Sequence, residues 1–112
     1  MVIWIIDAEQ WPRALLRAEL IERGFDAVGY ITVRDAIESL PMRAPDLIVV
    51  DLRGQPVPQV ERLRAIGVPM VIVAGVPEIN EIANEGWTVM RRPVSIGEIA
   101  DEVSSRSRSG PP

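Results

Sequence analysis

The sequence contains no cysteine, no histidine and no lysine. Without cysteine it can form neither a disulfide nor a thiolate metal site. Without histidine it has no imidazole to act as a general base, to carry a phosphoryl group or to bind zinc. All 12 basic residues are arginines. Any metal or acid–base chemistry would therefore depend on carboxylates, whose oxygen atoms favour hard cations such as Mg²⁺.

Charge and hydropathy argue against two further classes of partner. The net charge is −4 over 112 residues, so the domain lacks the basic surface of a nucleic-acid-binding protein. No apolar run approaches the roughly 20 residues of a membrane-spanning helix. The first residues, MVIWIID, have no basic segment and reach an acid at once, unlike a signal peptide. We therefore expect a cytoplasmic domain that binds neither nucleic acid nor membrane.

Five short apolar runs predict β-strands. They cover residues 2–6, 27–31, 47–50, 70–73 and 87–90. The first, third and fourth runs are continuously apolar and rich in valine and isoleucine, which is typical of strands buried on both faces of a parallel sheet.

Amphipathic segments between these runs predict helices. Apolar residues recur at i, i+3, i+4 and i+7, the spacing of one helical stripe, in Val33, Ala36, Ile37 and Leu40 and again in Ile96, Ile99, Ala100 and Val103. A helix near 12–24 is expected to bury Ala14, Leu15, Ala18 and Ile21. Ser95 and Glu98 form a capping box. Weaker patterns predict two short helices, near 58–66 and near 78–85.

The alternation of five strands with helices predicts an α/β fold with a doubly wound parallel sheet and helices on both faces. The length corresponds to one domain, which we place at residues 1–105. The polar, Ser/Arg-rich stretch at 106–112 predicts a flexible tail or linker.

Two carboxylates follow strands that should be neighbours. Asp7 comes directly after the first strand and Asp51 directly after the third. In a sheet of order 2-1-3-4-5 these strand ends flank the switch point where ligands bind. Glu9 lies close enough in sequence to join them. Such carboxylates raise one another's pKa unless a cation lies between them, so the sequence predicts an acidic pocket that could accept a hard cation.

Four segments resemble receiver (CheY-like) domains of response regulators over residues 1–105: VIWIIDAE, APDLIVVD, VPMVIVAG and VMRRPVSIGEI. The resemblance implies a flavodoxin-like fold. It places Asp51 at the phospho-acceptor position and Asp7 at the first of two acids near the metal. Ala74 then stands at the position of a threonine or serine. Arg92, before Pro93, stands at the position of a lysine.

The departures from the family's pattern affect its chemistry. Ala8 stands where the family has its second acid, and Ala74 has no hydroxyl group. Arg92 has a planar guanidinium group where the family has the compact ammonium group of lysine, which is not a conservative exchange at a phosphate site. The predicted outcome is impaired or absent phosphorylation of Asp51. Mg²⁺ would be absent, or weakly held by Asp7 and Asp51 with help from Glu9. An ion pair between Arg92 and Asp51 could replace part of the metal's charge.

The resulting hypothesis is an atypical receiver (a pseudo-receiver) in two-component signalling, not an enzyme. It would act through contacts with a protein partner, such as a histidine kinase, an output domain or another regulator, or with a second copy. Trp87 is a candidate interface residue on the face that receivers commonly use. Three alternatives stay open: a Mg²⁺-dependent receiver in a phosphorelay, a dimerisation domain of a longer regulator, and a small flavodoxin-like enzyme.

Overall fold

The computed structural model describes residues 1–75, 78 and 87–108. The strands are β1 (Val2–Ile6), β2 (Asp26–Tyr30), β3 (Leu47–Asp51), β4 (Met70–Ala74) and β5 (Thr88–Arg91). The helices are α1 (Gln10–Glu22), α2 (Val33–Glu38), α3 (Val57–Leu63) and α4 (Ile96–Arg108), and a 3₁₀ turn, Arg64–Ile66, follows α3. The helix predicted near 78–85 lies outside the described residues, apart from residue 78. No helix of the described part is long and apolar enough to cross a membrane.

The five strands form one parallel sheet in the order β2-β1-β3-β4-β5. Ile5 of β1 pairs with Gly29 of β2 on one side and with Val49 of β3 on the other. The predicted flavodoxin-like topology is therefore confirmed, and its switch point lies between β1 and β3. Because all the strands run the same way, their carboxyl ends meet at one edge of the sheet.

Alternate side chains of the strands supply two hydrophobic cores, one on each face of the sheet. Ile3 and Ile5 of β1 pack with buried residues of α1 and α4. Trp4 and Ile6 point the other way, toward buried residues of α2 and α3. The helices therefore cover both faces, as predicted.

Trp4 is the largest fully buried side chain. Its indole Nε1 donates a hydrogen bond to the carbonyl of Arg43 at 2.9 Å. Its ring meets that of Tyr30 edge to face, with 5.5 Å between centroids. The buried polar atom of Trp4 is thus satisfied.

The predicted buried face of α1 is wrong. The structure buries Leu16 and Leu20, whereas Leu15 is 55% exposed and Ile21 46% exposed. The helix carries apolar residues on two sides, and the spacing alone did not tell which side meets the sheet. Leu16 and Leu20, one turn apart, are the residues of α1 that pack against the sheet and α4.

The C-terminal helix begins as predicted but ends later. Ser95 Oγ accepts a bond from the Glu98 N–H at 3.0 Å, and Glu98 Oε1 accepts one from the Ser95 N–H at 3.3 Å, which confirms the capping box. The helix continues through Arg108, past the boundary predicted at 105. Arg106 pairs with Glu102 at 3.1 Å, one turn earlier, and this contact stabilises the Ser/Arg-rich stretch as helix.

Strand β2 forms one edge of the sheet, and arginines of α1 cover it. Arg17 Nε donates to the carbonyl of Ala27 at 3.0 Å. The side chain of Arg13 lies across Gly29, where a Cβ atom would come within 3.1 Å of Arg13 Cγ. Glycine at this position therefore lets α1 extend its side chains over the strand.

Replacing a core residue of the central strand should cost much of the stability. Ile48 is fully buried in β3, so Ile48→Ala is expected to lower the free energy of unfolding by about 2–5 kcal/mol. Ile31→Ala serves as the matched control, because Ile31 is 52% exposed, and its cost should be much smaller. Equilibrium urea denaturation measures both, and equal losses would contradict the described core.

Candidate functional site

The structure brings Asp7 and Asp51 together at the carboxyl ends of β1 and β3. Asp51 is the last residue of β3, which ends one residue later than predicted, and it pairs with Val73 of β4. Asp7 follows β1, and its N–H donates to the carbonyl of Tyr30 at 3.0 Å. The two acids are only 6% and 8% exposed, respectively. Buried carboxylates in neighbouring positions require compensation, by protons, cations or hydrogen-bond donors.

Two arginines supply that compensation at Asp51. Its Oδ1 accepts bonds from the Arg53 N–H at 2.9 Å and from Arg92 Nη1 at 2.6 Å. Its Oδ2 accepts a longer one from Arg53 Nη2 at 3.4 Å. The ion pair between Arg92 and Asp51 that we expected from the sequence is present, and it is a charge-assisted hydrogen bond.

Arg92 reaches Asp51 from the far end of the sheet. It directly follows β5, and its N–H donates to the carbonyl of Ala74 at 2.9 Å. Its guanidinium spans two acids, because Nη2 donates to Glu78 Oε1 at 3.0 Å while Nη1 holds Asp51. The peptide bond to the following Pro93 is cis. Ala74 is fully buried beneath this arrangement and offers only a methyl group.

Glu78 is a site residue that the sequence reasoning missed. Gly75 makes room for it: a Cβ atom at Gly75 would lie 2.9 Å from Glu78 Oε2 and 3.4 Å from Arg92 Nη2. In the sequence, Glu78 follows Gly75 by three residues at a strand end. This spacing does not indicate a site by itself, because the role of Glu78 comes from its contact with Arg92.

Glu9 lies at the rim of the site and binds an arginine. Its carboxylate is 3.3 Å from Arg53 Nε. Its backbone N–H donates to Asp7 Oδ1 at 2.9 Å. Arg53 therefore links Glu9 to Asp51, and the predicted acidic pocket is in fact a network in which carboxylates and guanidinium groups alternate.

Asp7 is the acid that this network leaves without a cation. Among the residues that the structure describes, no arginine nitrogen lies within 4.0 Å of its carboxylate oxygens. Burial raises the pKa of Asp7, and the charges of Asp51 and Glu9 raise it further. The hydrogen bond from the Glu9 N–H and the more distant charge of Arg53 lower it, but the net shift is upward.

The residues present do not fit a Mg²⁺ site of the family's kind. Within residues 1–75, 78 and 87–108, no three acidic side chains are grouped so that they could hold a metal ion. Ala8 stands beside Asp7, and its Cβ atom would be 2.9 Å from a Cβ at Gly54. One oxygen of Asp51 is already bonded to Arg92. Mg²⁺ keeps several waters and is held by one or two carboxylates in proteins, but here both oxygens of Asp51 already accept bonds from arginines.

Trp87 lies apart from these acids, just before β5. It is half-buried against the core formed with α2 and α3. The guanidinium carbon of Arg64 lies 4.0 Å from the centroid of its ring, in the geometry of a cation–π contact. One face of the ring is therefore covered, and Arg64 shares any surface that Trp87 contributes.

Comparisons with known proteins agree with this geometry. Neither the models of known protein families nor the curated proteins include a match to this chain. Solved structures do. A response regulator receiver protein from Pseudomonas putida is 25% identical, with a TM-score of 0.79, over 93% of this chain and 95% of that one. A two-component response regulator from Clostridium difficile is 20% identical, with a TM-score of 0.80, over 96% of each.

The receiver domain of Francisella response regulator 1452 is 18% identical, with a TM-score of 0.74, and the match covers 97% of this chain and 98% of that one. This chain has the receiver fold. The resemblance seen in the sequence is thereby confirmed at the level of the fold. In the receiver fold, Asp51 and Arg92 occupy the strand ends that the resemblance assigned to them.

The stability should depend on pH through Asp7. In the unfolded chain Asp7 ionises near its ordinary pKa of 3.8, whereas its pKa in the folded chain is higher. Stability is therefore lost as pH rises through this window, because the unfolded chain releases its proton first. Asp7→Asn cannot ionise, so it should be more stable than the natural chain at neutral pH, and this advantage should vanish below pH 3.8. Urea denaturation across the range measures the difference.

Glu22→Gln, an exposed substitution on α1, controls for the loss of one negative charge. An Asp7→Asn variant that is less stable than the natural chain at neutral pH would show that ionised Asp7 is well compensated in the fold, contrary to this description.

Arg92 and Asp51 should be energetically coupled. In a double-mutant cycle of Arg92→Gln and Asp51→Asn, we expect a coupling energy of about 1.5–3 kcal/mol, the range for hydrogen bonds to charged groups. Arg91→Gln in the same cycle is the matched control, since Arg91 is the exposed neighbour of Arg92. Coupling of similar size in both cycles would mean that long-range charge, rather than the 2.6 Å contact, accounts for it.

Proposed function

We propose that this chain is a signalling module of the two-component type, regulatory rather than catalytic, that acts in the cytoplasm through protein contacts and without phosphorylation of Asp51. The observation that carries the proposal is the engagement of both Asp51 oxygens by arginine donors. A carboxylate that accepts a phosphoryl group needs an oxygen free to attack and a cation that neutralises the charge on the transferred group. Arginine occupies both places around Asp51.

The identity of the residue at position 92 supports this proposal. A guanidinium group is a planar fork that can bind two carboxylates at once, whereas an ammonium group acts as a compact point charge. Arg92 uses this geometry to join Asp51 and Glu78. The resulting bridge connects the end of β3 to residues that follow β4 and β5. Displacing Arg92 from Asp51 would leave a buried carboxylate without its shortest donor, which is costly.

The substitution at position 74 supports it as well. Ala74 is fully buried and packs in the core shared with α2 and α3. It has no hydroxyl that could bond to a phosphoryl oxygen on Asp51. A phosphoryl group would therefore find no side-chain donor on β4, and the chain has no lysine to provide one.

For the signalling contact we propose the surface around Trp87 and Arg64. Aromatic and arginine side chains are the most frequent anchors of protein interfaces, and here the two lie in contact. A histidine kinase, an output domain, another regulator or a second copy of the chain could provide the opposite surface.

Intact-mass spectrometry after incubation with acetyl phosphate and Mg²⁺ tests the proposal. The natural chain should gain no phosphoryl group. The matched control is the variant Ala8→Asp/Ala74→Thr/Arg92→Lys, which restores the three positions at which the sequence departs from the receiver pattern. This variant should gain one phosphoryl group, and Asp51→Asn added to it should abolish the gain. A mass gain in the natural chain that Asp51→Asn removes would overturn the proposal in favour of a working receiver.

A further inference from the structure

A cavity opens between α1 and the beginning of α4 and reaches the acidic strand ends. Its volume is about 410 Å³, which lies within the range of small-molecule sites. Leu15 and Leu16 of α1 line one side, and Ile96 and Ile99 of α4 line the other. The closed end contains four charged residues: Asp7, Asp51, Arg53 and Arg92. The cavity therefore has apolar walls and a polar end, and it suits an amphipathic molecule with an apolar body and one polar group.

Two apolar side chains at the mouth of the cavity are exposed and belong to neither hydrophobic core. Trp11 is 73% exposed and Leu15 55% exposed, and both line the cavity. An indole at the rim of an apolar pocket can cover a bound molecule with its flat face, and it attracts a positive charge.

The charges at the closed end determine which kind of molecule fits. Each arginine already binds two carboxylates: Arg92 contacts Asp51 and Glu78, and Arg53 contacts Asp51 and Glu9. Asp7 lines the cavity, is 6% exposed, and is the acid without an arginine partner among the described residues. Of the two carboxylates that line the closed end, Asp51 accepts bonds from arginines on both oxygens. Asp7 is therefore the carboxylate that is left to accept a bond from a cation.

We infer that this cavity binds a small amphipathic amine, with its ammonium group at Asp7 and its apolar body between Leu15, Ile96 and Trp11. The ammonium would supply the cation that Asp7 lacks and would donate a charge-assisted hydrogen bond to it. The walls would remove the apolar body from water, which is the main favourable contribution to such binding. The site does not require Asp51 to be free, so binding is independent of whether Asp51 can be phosphorylated.

An anionic molecule of the same size fits the closed end less well. Its negative charge would lie beside the carboxylates of Asp7 and Asp51, and Arg53 and Arg92 each already lie within 4.0 Å of two carboxylates. An alcohol could use the same walls but would leave the charge of Asp7 uncompensated. The chemistry of the cavity therefore ranks the three head groups as amine, then alcohol, then carboxylate.

Isothermal titration of the chain with phenethylamine, phenethyl alcohol and 3-phenylpropionate tests this ranking. The three probes share a ring and a two-carbon spacer. Phenethylamine should bind about ten- to a hundredfold more tightly than the alcohol, as expected for a hydrogen bond to a charged group. In Asp7→Asn this preference should disappear while the alcohol binds as before. Leu15→Asp should weaken binding of the alcohol and the amine, because it disrupts the apolar wall.

Three results would overturn the inference. One is equal or tighter binding of the carboxylate probe. The second is an amine preference that survives in Asp7→Asn, with the natural chain and the variant shown to be equally folded by circular dichroism. The third is no binding of any probe together with a dimer in sedimentation equilibrium that Leu15→Asp dissociates, which would identify a second copy of the chain as the occupant of the cavity mouth. The phosphorylation assay is separate, so either conclusion can fail without the other.

Discussion

The buried ion pair between Arg92 and Asp51 is the contact on which the rest of the site depends. A parallel sheet with the order 2-1-3-4-5 places Asp7 and Asp51 side by side where water hardly reaches. Such acids need a positive neighbour, and here it is a guanidinium group at 2.6 Å from Asp51. Arg92 also holds Glu78 through its side chain, and its N–H donates to the carbonyl of Ala74. One residue therefore joins the carboxyl ends of β3, β4 and β5 to Glu78. Arginine keeps its charge at every physiological pH, so the arrangement is permanent rather than conditional on a bound ion.

The receiver fold itself does not depend on which polar residues stand at its strand ends. The fold depends on apolar strands and on two cores, which make no demand on the residues at strand ends. Those residues can therefore change without cost to the architecture. The residues at these strand ends determine which acid a ligand can reach. Two arginines occupy the oxygens of Asp51, while Asp7 lines the cavity beside α1. The two acids at the strand ends therefore differ, because arginines cover Asp51 whereas Asp7 lines the cavity.

Much of the architecture could be predicted from the sequence, because strands that are buried on both faces of a sheet consist of continuous runs of apolar residues such as valine and isoleucine. The strand limits, the topology, the meeting of Asp7 with Asp51 and the capping box at Ser95 and Glu98 all follow from local patterns or from a sheet rule. The side of α1 that meets the sheet did not, because that helix is apolar on two sides. Glu78 did not either, because its role arises only from a partner that approaches from a distant strand. The pair between Arg106 and Glu102 in the last turns of α4 is likewise not indicated by the Ser/Arg-rich composition of that stretch.

The arginines that lie over β2 have a consequence for the behaviour of the protein at high concentration. An edge strand exposes unpaired amide and carbonyl groups that can recruit a strand from another molecule and so begin aggregation. At Ala27 the outward carbonyl already accepts a bond from Arg17, and at Gly29 the stem of Arg13 covers the backbone. An incoming strand would have to displace both charged side chains before it could pair. Because Gly29 has no side chain, the side chain of Arg13 can lie over the edge strand and hinder its pairing with another chain.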